Sequence, residues 1–262
     1  MNKYFKFISS GFMNKFVVKK LQLLSNKARL LVRKKQVKDM NIYYQNVNGI
    51  RTDNTFRDNV EKTDYDIIML TETKLNEEFS GNFFFDNRYK VFFRHRWDSY
   101  SGGIGGGVLI AVKIKSFTII RKRKWENRDT EDLWIKLTTP QGTVLNVCSV
   151  YLEPQCLSQY FETFFENFNN RYKESPKEMF LIAGDFNMSA YKDVKKDVTP
   201  TTKLTTMQHN MFICQQKQYN KIKNPNGDLL DLVFSNVKCQ VKRTKGLTRT
   251  DIYHPCLKIN FT

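Results

Sequence analysis

The chain has 262 residues, of which 40% are hydrophobic and 14% aromatic, so it is long enough for one large domain with a sizeable core, and its composition excludes a wholly disordered protein. The formal net charge of +17 favours a polyanionic partner, either nucleic acid or an anionic membrane surface. Five cysteines without paired spacing and only three histidines argue against a structural zinc site and fit a reducing, intracellular compartment. No apolar run approaches the roughly 18 residues that a transmembrane helix needs.

Residues 1–38 form a basic segment that differs in composition from the rest of the chain. They contain eleven Lys or Arg residues and no acid, and the first carboxylate is that of Asp39. Three interpretations stay open: a mitochondrial-type presequence, an arm that binds nucleic acid or a membrane surface, and a weakly ordered extension without a function. We therefore expect a domain over residues 39–262 and an intracellular protein, with a nuclear location favoured over a mitochondrial one. Apolar residues at helical spacing predict an amphipathic helix in the segment: Met13, Val17, Leu21, Leu24, Ala28 and Leu31.

From residue 41 onward, short apolar runs bounded by turn residues predict a series of β-strands. A turn at residues 140–142 (P-Q-G) is typical of a hairpin. Aromatic residues between 161 and 172 lie on one helical face, and a second helix is predicted over residues 205–218. Many strands with interspersed helices predict two packed sheets with helices outside. The predicted strands cover residues 41–47, 66–71, 89–94, 108–113, 117–121, 133–137, 144–152, 179–183, 229–234 and 257–261.

Polar residues interrupt the ends of four predicted strands, where a buried polar group costs free energy unless it is paired or used. The four stretches are Q-N-V-N-G at 45–49, L-T-E-T at 70–73, G-D-F-N at 184–187 and H-P at 254–255. Each stretch alone is an ordinary turn sequence. Their conjunction, each beside an apolar strand, favours a shared site.

In this order, the four stretches resemble the endonuclease/exonuclease/phosphatase superfamily, which includes DNase I, abasic-site endonucleases and inositol-polyphosphate 5-phosphatases. The resemblance covers the chain from about residue 41 onward. The stretches N-I-Y-Y-Q-N-V-N-G-I-R-T, L-T-E-T-K-L, G-G-G-V-L-I-A-V, L-L-D-L-V-F-S-N and D-I-Y-H-P are similar to the endonucleases of insect non-LTR retrotransposons. The resemblance implies a DNase I-like fold, a four-layer αββα sandwich of class α/β with two facing sheets flanked by helices.

The same resemblance implies a divalent-metal site with Mg²⁺, or Mn²⁺, as cofactor. Glu72 matches the metal-binding glutamate of the family, and Asn46 matches the asparagine that lines this site. A hard cation needs only one or two carboxylates because it keeps several waters. Asn48 stands where many members have an aspartate, which weakens the expected metal site, and we assign it to substrate binding. Asp251 is a further metal candidate, although the family places its Asp next to the His and here two residues intervene.

Five further residues match the catalytic positions of the family. Asp185 is expected to act as general base or to position the attacking water, and Asn187 to orient phosphate or water. Tyr151 matches a tyrosine that contacts the scissile phosphate. His254 matches the catalytic histidine, and Asp231 the acid that hydrogen-bonds it and fixes its tautomer.

These assignments predict Mg²⁺-dependent cleavage of DNA that leaves a 3′-hydroxyl, with DNA as the partner and no stable protein partner. Arg94, in R-H-R-W, is a candidate for the DNA backbone, and a solvated strand end is an equally good interpretation. The glycine-rich run at residues 101–107 precedes a strand rather than a helix, which favours a flexible hairpin entry over a nucleotide cradle. Two alternatives stay open: another phosphoesterase, acting on inositol phosphates or lipids, and an inactive relic that binds nucleic acid.

Overall fold

The computed structural model of the protein describes residues 40–96, 105–154, 156–188 and 202–262. The helix predicted within residues 1–38 lies outside this part of the chain, as do residues 101–104 of the glycine-rich run. One compact unit spans Asp39–Thr262. None of the helices in the described part has the length and apolar character of a membrane span.

The strands of this unit form two six-stranded sheets. The first sheet has the order β11-β12-β1-β2-β4-β3 and contains β1 (Ile42–Asn46), β2 (Ile67–Thr71), β3 (Tyr89–Arg94), β4 (Val108–Lys113), β11 (Cys239–Arg243) and β12 (Leu257–Phe261). The second has the order β5-β6-β7-β8-β10-β9 and contains β5 (Thr118–Arg121), β6 (Glu131–Thr138), β7 (Val144–Tyr151), β8 (Met179–Asp185), β9 (Lys217–Gln218) and β10 (Asp231–Ser235).

Each sheet is antiparallel except at one central pair. β1 runs parallel to β2, and β7 runs parallel to β8. All residues of β1, β2 and β10 are buried, because one face of each sheet packs on the other sheet and the second face packs on helices. A hydrogen bond of 3.2 Å from Ser149 Oγ to the carbonyl oxygen of Leu70 joins the two sheets directly.

Helices cover the outer face of each sheet. Short helices α1 (Phe56–Glu61) and α2 (Gly81–Phe84) lie against the first sheet, and α3 (Ser158–Glu174) and α4 (Thr202–Ile213) lie against the second. The apolar face of α3 repeats every three or four residues and packs on Trp134 and Phe180. Its buried aromatic residues are Phe161, Phe164, Phe165, Phe168 and Tyr172. These four layers confirm the predicted αββα sandwich.

All ten predicted strands are present, with bounds that differ by at most two residues. The hairpin turn at residues 140–142 joins the antiparallel strands β6 and β7. The second predicted helix was too long. It ends at Ile213 because Gln215 adopts a left-handed backbone with φ of 53°, which a right-handed helix does not accept. The residues after it form β9, which pairs with β10 at the edge of the sheet. The prediction also missed β11, whose sequence C-Q-V-K-R has the charged character of an edge strand.

Candidate active site

Four candidate residues are brought together by the ends of the parallel strands. Asn46 ends β1, and Glu72 directly follows β2. Tyr151 ends β7, and Asp185 ends β8. Because both strands of a parallel pair end at the same edge, and the two sheets face each other, these side chains converge at one end of the sandwich.

Asp185 is the most completely buried carboxylate of the site, with no exposed surface. Its Oδ2 accepts hydrogen bonds from Asn46 Nδ2 at 3.0 Å and from Asn187 Nδ2 at 3.1 Å. Its Oδ1 accepts the backbone N–H of Asn187 at 2.9 Å. Asn187 has φ of 46°, a conformation that asparagine tolerates better than most residues. The G-D-F-N turn therefore folds back on its own aspartate and holds that carboxylate in one orientation.

His254 faces Asp185 and is held from behind by Asp231. The Nδ1 atom of His254 lies 3.0 Å from Asp231 Oδ2, and its Nε2 atom lies 3.7 Å from Asp185 Oδ2. The other oxygen of Asp231 accepts a hydrogen bond of 2.8 Å from the hydroxyl of Tyr44. A carboxylate on one ring nitrogen fixes the tautomer and orientation of the imidazole, so Nε2 points towards the centre of the site.

Burial and neighbouring charges shift the pKa of both central groups. Burial raises the pKa of Asp185 to about 8, and the charges of Asp231 and Glu72 add to this rise while His254 and the Asn187 N–H oppose it. Burial lowers the pKa of His254, but the hydrogen bond and charge of Asp231 outweigh it and raise that pKa to about 9. The negative charge of the carboxylates at the site, Asp185, Asp231 and Glu72, therefore exceeds the positive charge of His254.

Glu72 completes the cluster and is partly exposed. Its Oε1 accepts a hydrogen bond of 2.9 Å from Asn46 Nδ2, and its φ of 53° places it in the left-handed region. One ligand atom each from Glu72, Asp185 and His254 lie within 4.8 Å of one another. Two carboxylates with an excess of negative charge suit a hard divalent cation, which prefers oxygen ligands. The residues present therefore fit a metal site at this position.

Asn46 contacts this cluster through its amide nitrogen. Its Nδ2 donates to both Glu72 and Asp185, whereas its oxygen accepts the backbone N–H of Asn48 at 3.0 Å. In this orientation Asn46 aligns the two carboxylates. Its predicted role as an oxygen ligand of the metal stays a prediction.

Asn48 and Asp251 lie beside each other at the mouth of the site. Asn48 Nδ2 donates to Asp251 Oδ2 at 3.4 Å, and Asn48 Oδ1 accepts a hydrogen bond from Lys74. In the described part of the chain, the cluster of possible metal ligands consists of Glu72, Asp185 and His254 and does not include Asp251. Its predicted role as a metal ligand thus has no geometric support from the cluster. Sequence reasoning did not assign Lys74 a role, although it follows the L-T-E-T stretch by one residue.

Tyr151 lies beside Asp185 on the neighbouring strand, and its environment keeps its hydroxyl protonated. Burial raises the pKa of Tyr151, and the charges of Glu72 and Asp185 raise it further. Its ring lies 5.8 Å from the guanidinium carbon of Arg96, whose Nε donates to Glu131 Oε1 at 2.8 Å. A neutral phenol can donate a hydrogen bond to an anionic ligand, which agrees with the predicted phosphate contact.

The interpretation of Arg94 as a DNA-backbone contact was wrong. Its side chain is 4% exposed and forms a 3.0 Å ion pair with Asp132. Its guanidinium also donates to the backbone carbonyls of Asp132 and Asn127. Arg94 points towards the second sheet because the end of β3 lies against β6, so it stabilises the sandwich and is not available to a ligand.

Sequence reasoning missed Tyr44, which supports Asp231 from the opposite sheet. One signal was present. Tyr44 and Asn46 are two residues apart on β1 and therefore point to the same face of the strand, which here is the face towards the site.

The sequence profile of the endonuclease/exonuclease/phosphatase family matches residues 43–251, most of the chain. The chain belongs to this family. The matched range includes the candidate residues from Asn46 to Asp251 and excludes His254. No curated protein has a sequence that matches this member of the endonuclease/exonuclease/phosphatase family.

Several solved structures have the same fold as this family member. The endonuclease domain of TRAS1, a telomere-specific non-LTR retrotransposon, is 16% identical with a TM-score of 0.62, over 85% of this chain and 97% of that one. The AP endonuclease LMAP from Leishmania major is 13% identical with a TM-score of 0.64, over 85% and 87%. The 3′ phosphatase NExo from Neisseria, bound to a product DNA hairpin, is 15% identical with a TM-score of 0.57, over 85% and 99%. Members of the endonuclease/exonuclease/phosphatase family are hydrolases of phosphate esters.

Proposed function

We propose that this protein is a divalent-metal-dependent DNA endonuclease, derived from a retrotransposon, that leaves a 3′-hydroxyl at the nick. The observation that carries the proposal is the arrangement around Asp185. The amides of Asn46 and Asn187 donate hydrogen bonds to its carboxylate. His254, which is paired with Asp231, has its Nε2 atom 3.7 Å from Asp185 Oδ2. Hydrolysis of a phosphodiester needs an oriented water and stabilised phosphoryl oxygens, and these residues provide both functions.

Each candidate residue of the active site has a distinct role in this proposal. Asp185 accepts a proton from the attacking water in its ionised form, which the charge of His254 and the backbone N–H of Asn187 favour against the effect of burial. Asn187 orients that water or the phosphate. His254, whose raised pKa keeps it protonated at neutral pH, donates a hydrogen bond from Nε2 to a phosphoryl oxygen. Tyr151, beside Asp185 on the neighbouring strand, donates a second hydrogen bond to the phosphate. Glu72, with Asp185 beside it, would hold a Mg²⁺ or Mn²⁺ ion, which would supply further positive charge to the phosphate. As the water oxygen bonds to phosphorus, the bond from phosphorus to O3′ breaks, and O3′ takes up a proton from solvent to become the 3′-hydroxyl.

The basic composition of the chain supports DNA as the substrate. The formal net charge is +17, and the neutralisation of phosphates by basic residues releases counterions and drives nucleic-acid binding. Solved structures with the same fold include the endonuclease domain of TRAS1 and the NExo phosphatase with its DNA hairpin. Inositol phosphates are the second candidate substrate class, because the same cluster of ligands and the same positive charge fit a small polyanion.

Nicking of supercoiled plasmid tests the proposal. Wild-type protein is expected to nick with Mg²⁺ and not with EDTA, and Asp185→Asn and His254→Gln are expected to lower the rate by about 10²-fold or more. Glu78→Gln, an exposed substitution outside the site, is the matched control and should retain the rate. Release of phosphate from inositol phosphates by wild-type protein that leaves plasmid intact would reject the proposal in favour of the second substrate class.

A further inference from the structure

The turn that carries His254 presents two adjacent apolar side chains to solvent. Ile252 is 66% exposed and Tyr253 is 43% exposed. The next residues, His254, Pro255 and Cys256, are all buried. Exposed apolar side chains add little to folding stability, and these two lie directly beside the candidate catalytic histidine, where a substrate would bind.

The backbone holds this turn in a defined shape. The Oδ1 atom of Asp251 accepts the backbone N–H of Tyr253 at 2.8 Å. The carbonyl oxygen of Asp251 accepts the backbone N–H of His254 at 3.2 Å. Both hydrogen bonds close around Ile252 and Tyr253, so the two side chains project from an ordered loop and do not lose backbone freedom when a ligand binds.

Two grooves adjoin the turn, and each has at least one exposed basic residue in its lining. One groove, of about 770 Å³, runs past Asn48 and Asp251 and includes Arg249. The other, of about 490 Å³, includes Ile252 with Lys223 and Arg243. The second groove, with Lys223 and Arg243 beside the apolar tip, matches a chain of phosphates that carries flat apolar groups. The first groove pairs Arg249 with the carboxylates of Asp53 and Asp251.

We propose that Ile252 and Tyr253 form a base-contacting tip, which packs against an unstacked base next to the cleaved phosphate while the flanking basic residues bind the backbone. Nucleic-acid bases offer such a flat face whatever the sequence, and aromatic and aliphatic side chains bind it by stacking or by insertion between bases. The inference rests on the proposed function in its choice of nucleic acid as ligand. It assigns the tip to substrate binding and not to the chemical step.

The test compares two DNA ligands of equal charge, oligo(dT) and an abasic oligomer of the same length, by equilibrium binding in EDTA so that nothing is cleaved. Wild-type protein is expected to bind oligo(dT) on the order of tenfold more tightly, because only this ligand offers a base to stack. The double variant Ile252→Ser/Tyr253→Ser is expected to bind both ligands equally. Tyr253→Phe should keep the preference, because stacking needs the ring and not the hydroxyl.

Phe212→Ser is the matched control, since Phe212 is an exposed aromatic residue (83%) on α4 and should not affect the preference. The slope of affinity against salt should be the same in all these proteins, because the phosphate contacts remain. A double variant that keeps the wild-type preference, or a wild type that binds both ligands equally, overturns the inference. Plasmid nicking reports separately on the proposed function: active nicking without base preference would reject the tip alone, and base preference without nicking would reject the endonuclease alone.

Discussion

The hydroxyl of Tyr44 on β1 donates a hydrogen bond of 2.8 Å to Asp231 on β10, so a residue of one sheet supports a carboxylate of the other. Asp231 uses its second oxygen to hold His254 at 3.0 Å. The orientation of the candidate catalytic histidine therefore depends on a tyrosine that does not touch it.

We expect Tyr44→Phe to lower kcat by about tenfold with little change in KM, because a buried carboxylate loses one donor and holds the imidazole less firmly. Tyr43→Phe is the matched control. It removes a buried hydroxyl from the neighbouring position, where the hydroxyl bonds to Gln45 and to the backbone N–H of Leu247. Steady-state kinetics on plasmid DNA measure kcat and KM for the two variants. Equal losses in the two variants would show that the effect is one of general stability.

The pH dependence of the reaction should change when Asp231 loses its charge. Asp231 raises the pKa of His254 to about 9, so the protonated form is present at neutral pH and is lost as the pH rises through that value. In Asp231→Asn this pKa falls towards about 6.5, the usual value for histidine. The alkaline limb of the kcat profile should therefore move to lower pH. An unchanged limb would mean that another group titrates there, and Asp58→Asn, exposed on α1, is the control.

Metal binding should stabilise the folded protein through Glu72. A ligand that binds only the folded state raises its stability by about 2.7 kcal/mol at a hundredfold excess over its Kd. Thermal unfolding of wild-type protein with Mg²⁺ is expected to show a higher Tm than with EDTA. Glu72→Gln should abolish this shift, since one of the two carboxylates near the centre of the cluster becomes neutral. Retention of the full shift in Glu72→Gln would place the metal elsewhere.

Asn48→Asp should strengthen the metal site. Asn48 is next to Asp251 and accepts a hydrogen bond from Lys74, so a carboxylate there gains a cationic neighbour. A further carboxylate attracts a divalent cation, and we expect the Mg²⁺ concentration for half-maximal activity to fall by about fivefold or more. Asn82→Asp, exposed on α2, controls for the change in net charge. A higher Mg²⁺ requirement would show that repulsion from Asp251 dominates.

Arg94 and Asp132 should affect stability and not DNA binding. Removing one partner of a buried ion pair typically costs about 3–5 kcal/mol, and Arg94→Ala should lower the free energy of unfolding by an amount of this order. Urea unfolding measures the change, with Lys90→Ala, at an exposed position of the same strand, as the control. DNA binding lost without a change in stability would restore the interpretation of Arg94 as a backbone contact.

The periodicity of the sequence predicted the central strands well because each is a short apolar run that ends in polar residues. The strand at residues 108–113 has the predicted bounds, and the strand at 67–71 begins one residue later than predicted. The helices at 56–61 and 81–84 were missed because they are too short to show a helical period. The strand at 239–243 was missed because its alternating pattern is mostly polar, as suits an edge.

The candidate site was predictable where a residue ends an apolar strand. Asn46 and Asp185 both end such a strand, and in the structure Asn46 Nδ2 donates a hydrogen bond of 3.0 Å to Asp185 Oδ2. Arg94 meets the same condition, but sequence cannot tell whether a strand end faces solvent or a second sheet. Contacts between distant parts of the chain, such as that of Tyr44 with Asp231, depend on how the sheets dock. The spacing of Tyr44 and Asn46 indicates that both point to one face of β1, but no local signal identifies the partner of Tyr44.

The division of the site between the two sheets has a consequence for the folding chain. Asn46 and Glu72 come from the first sheet, and Asp185 and Asp231 from the second, so neither sheet alone assembles the group that would cut a phosphodiester. On the proposed function, cleavage would require both sheets to have docked, so a folding intermediate with only one sheet formed is expected to be inactive.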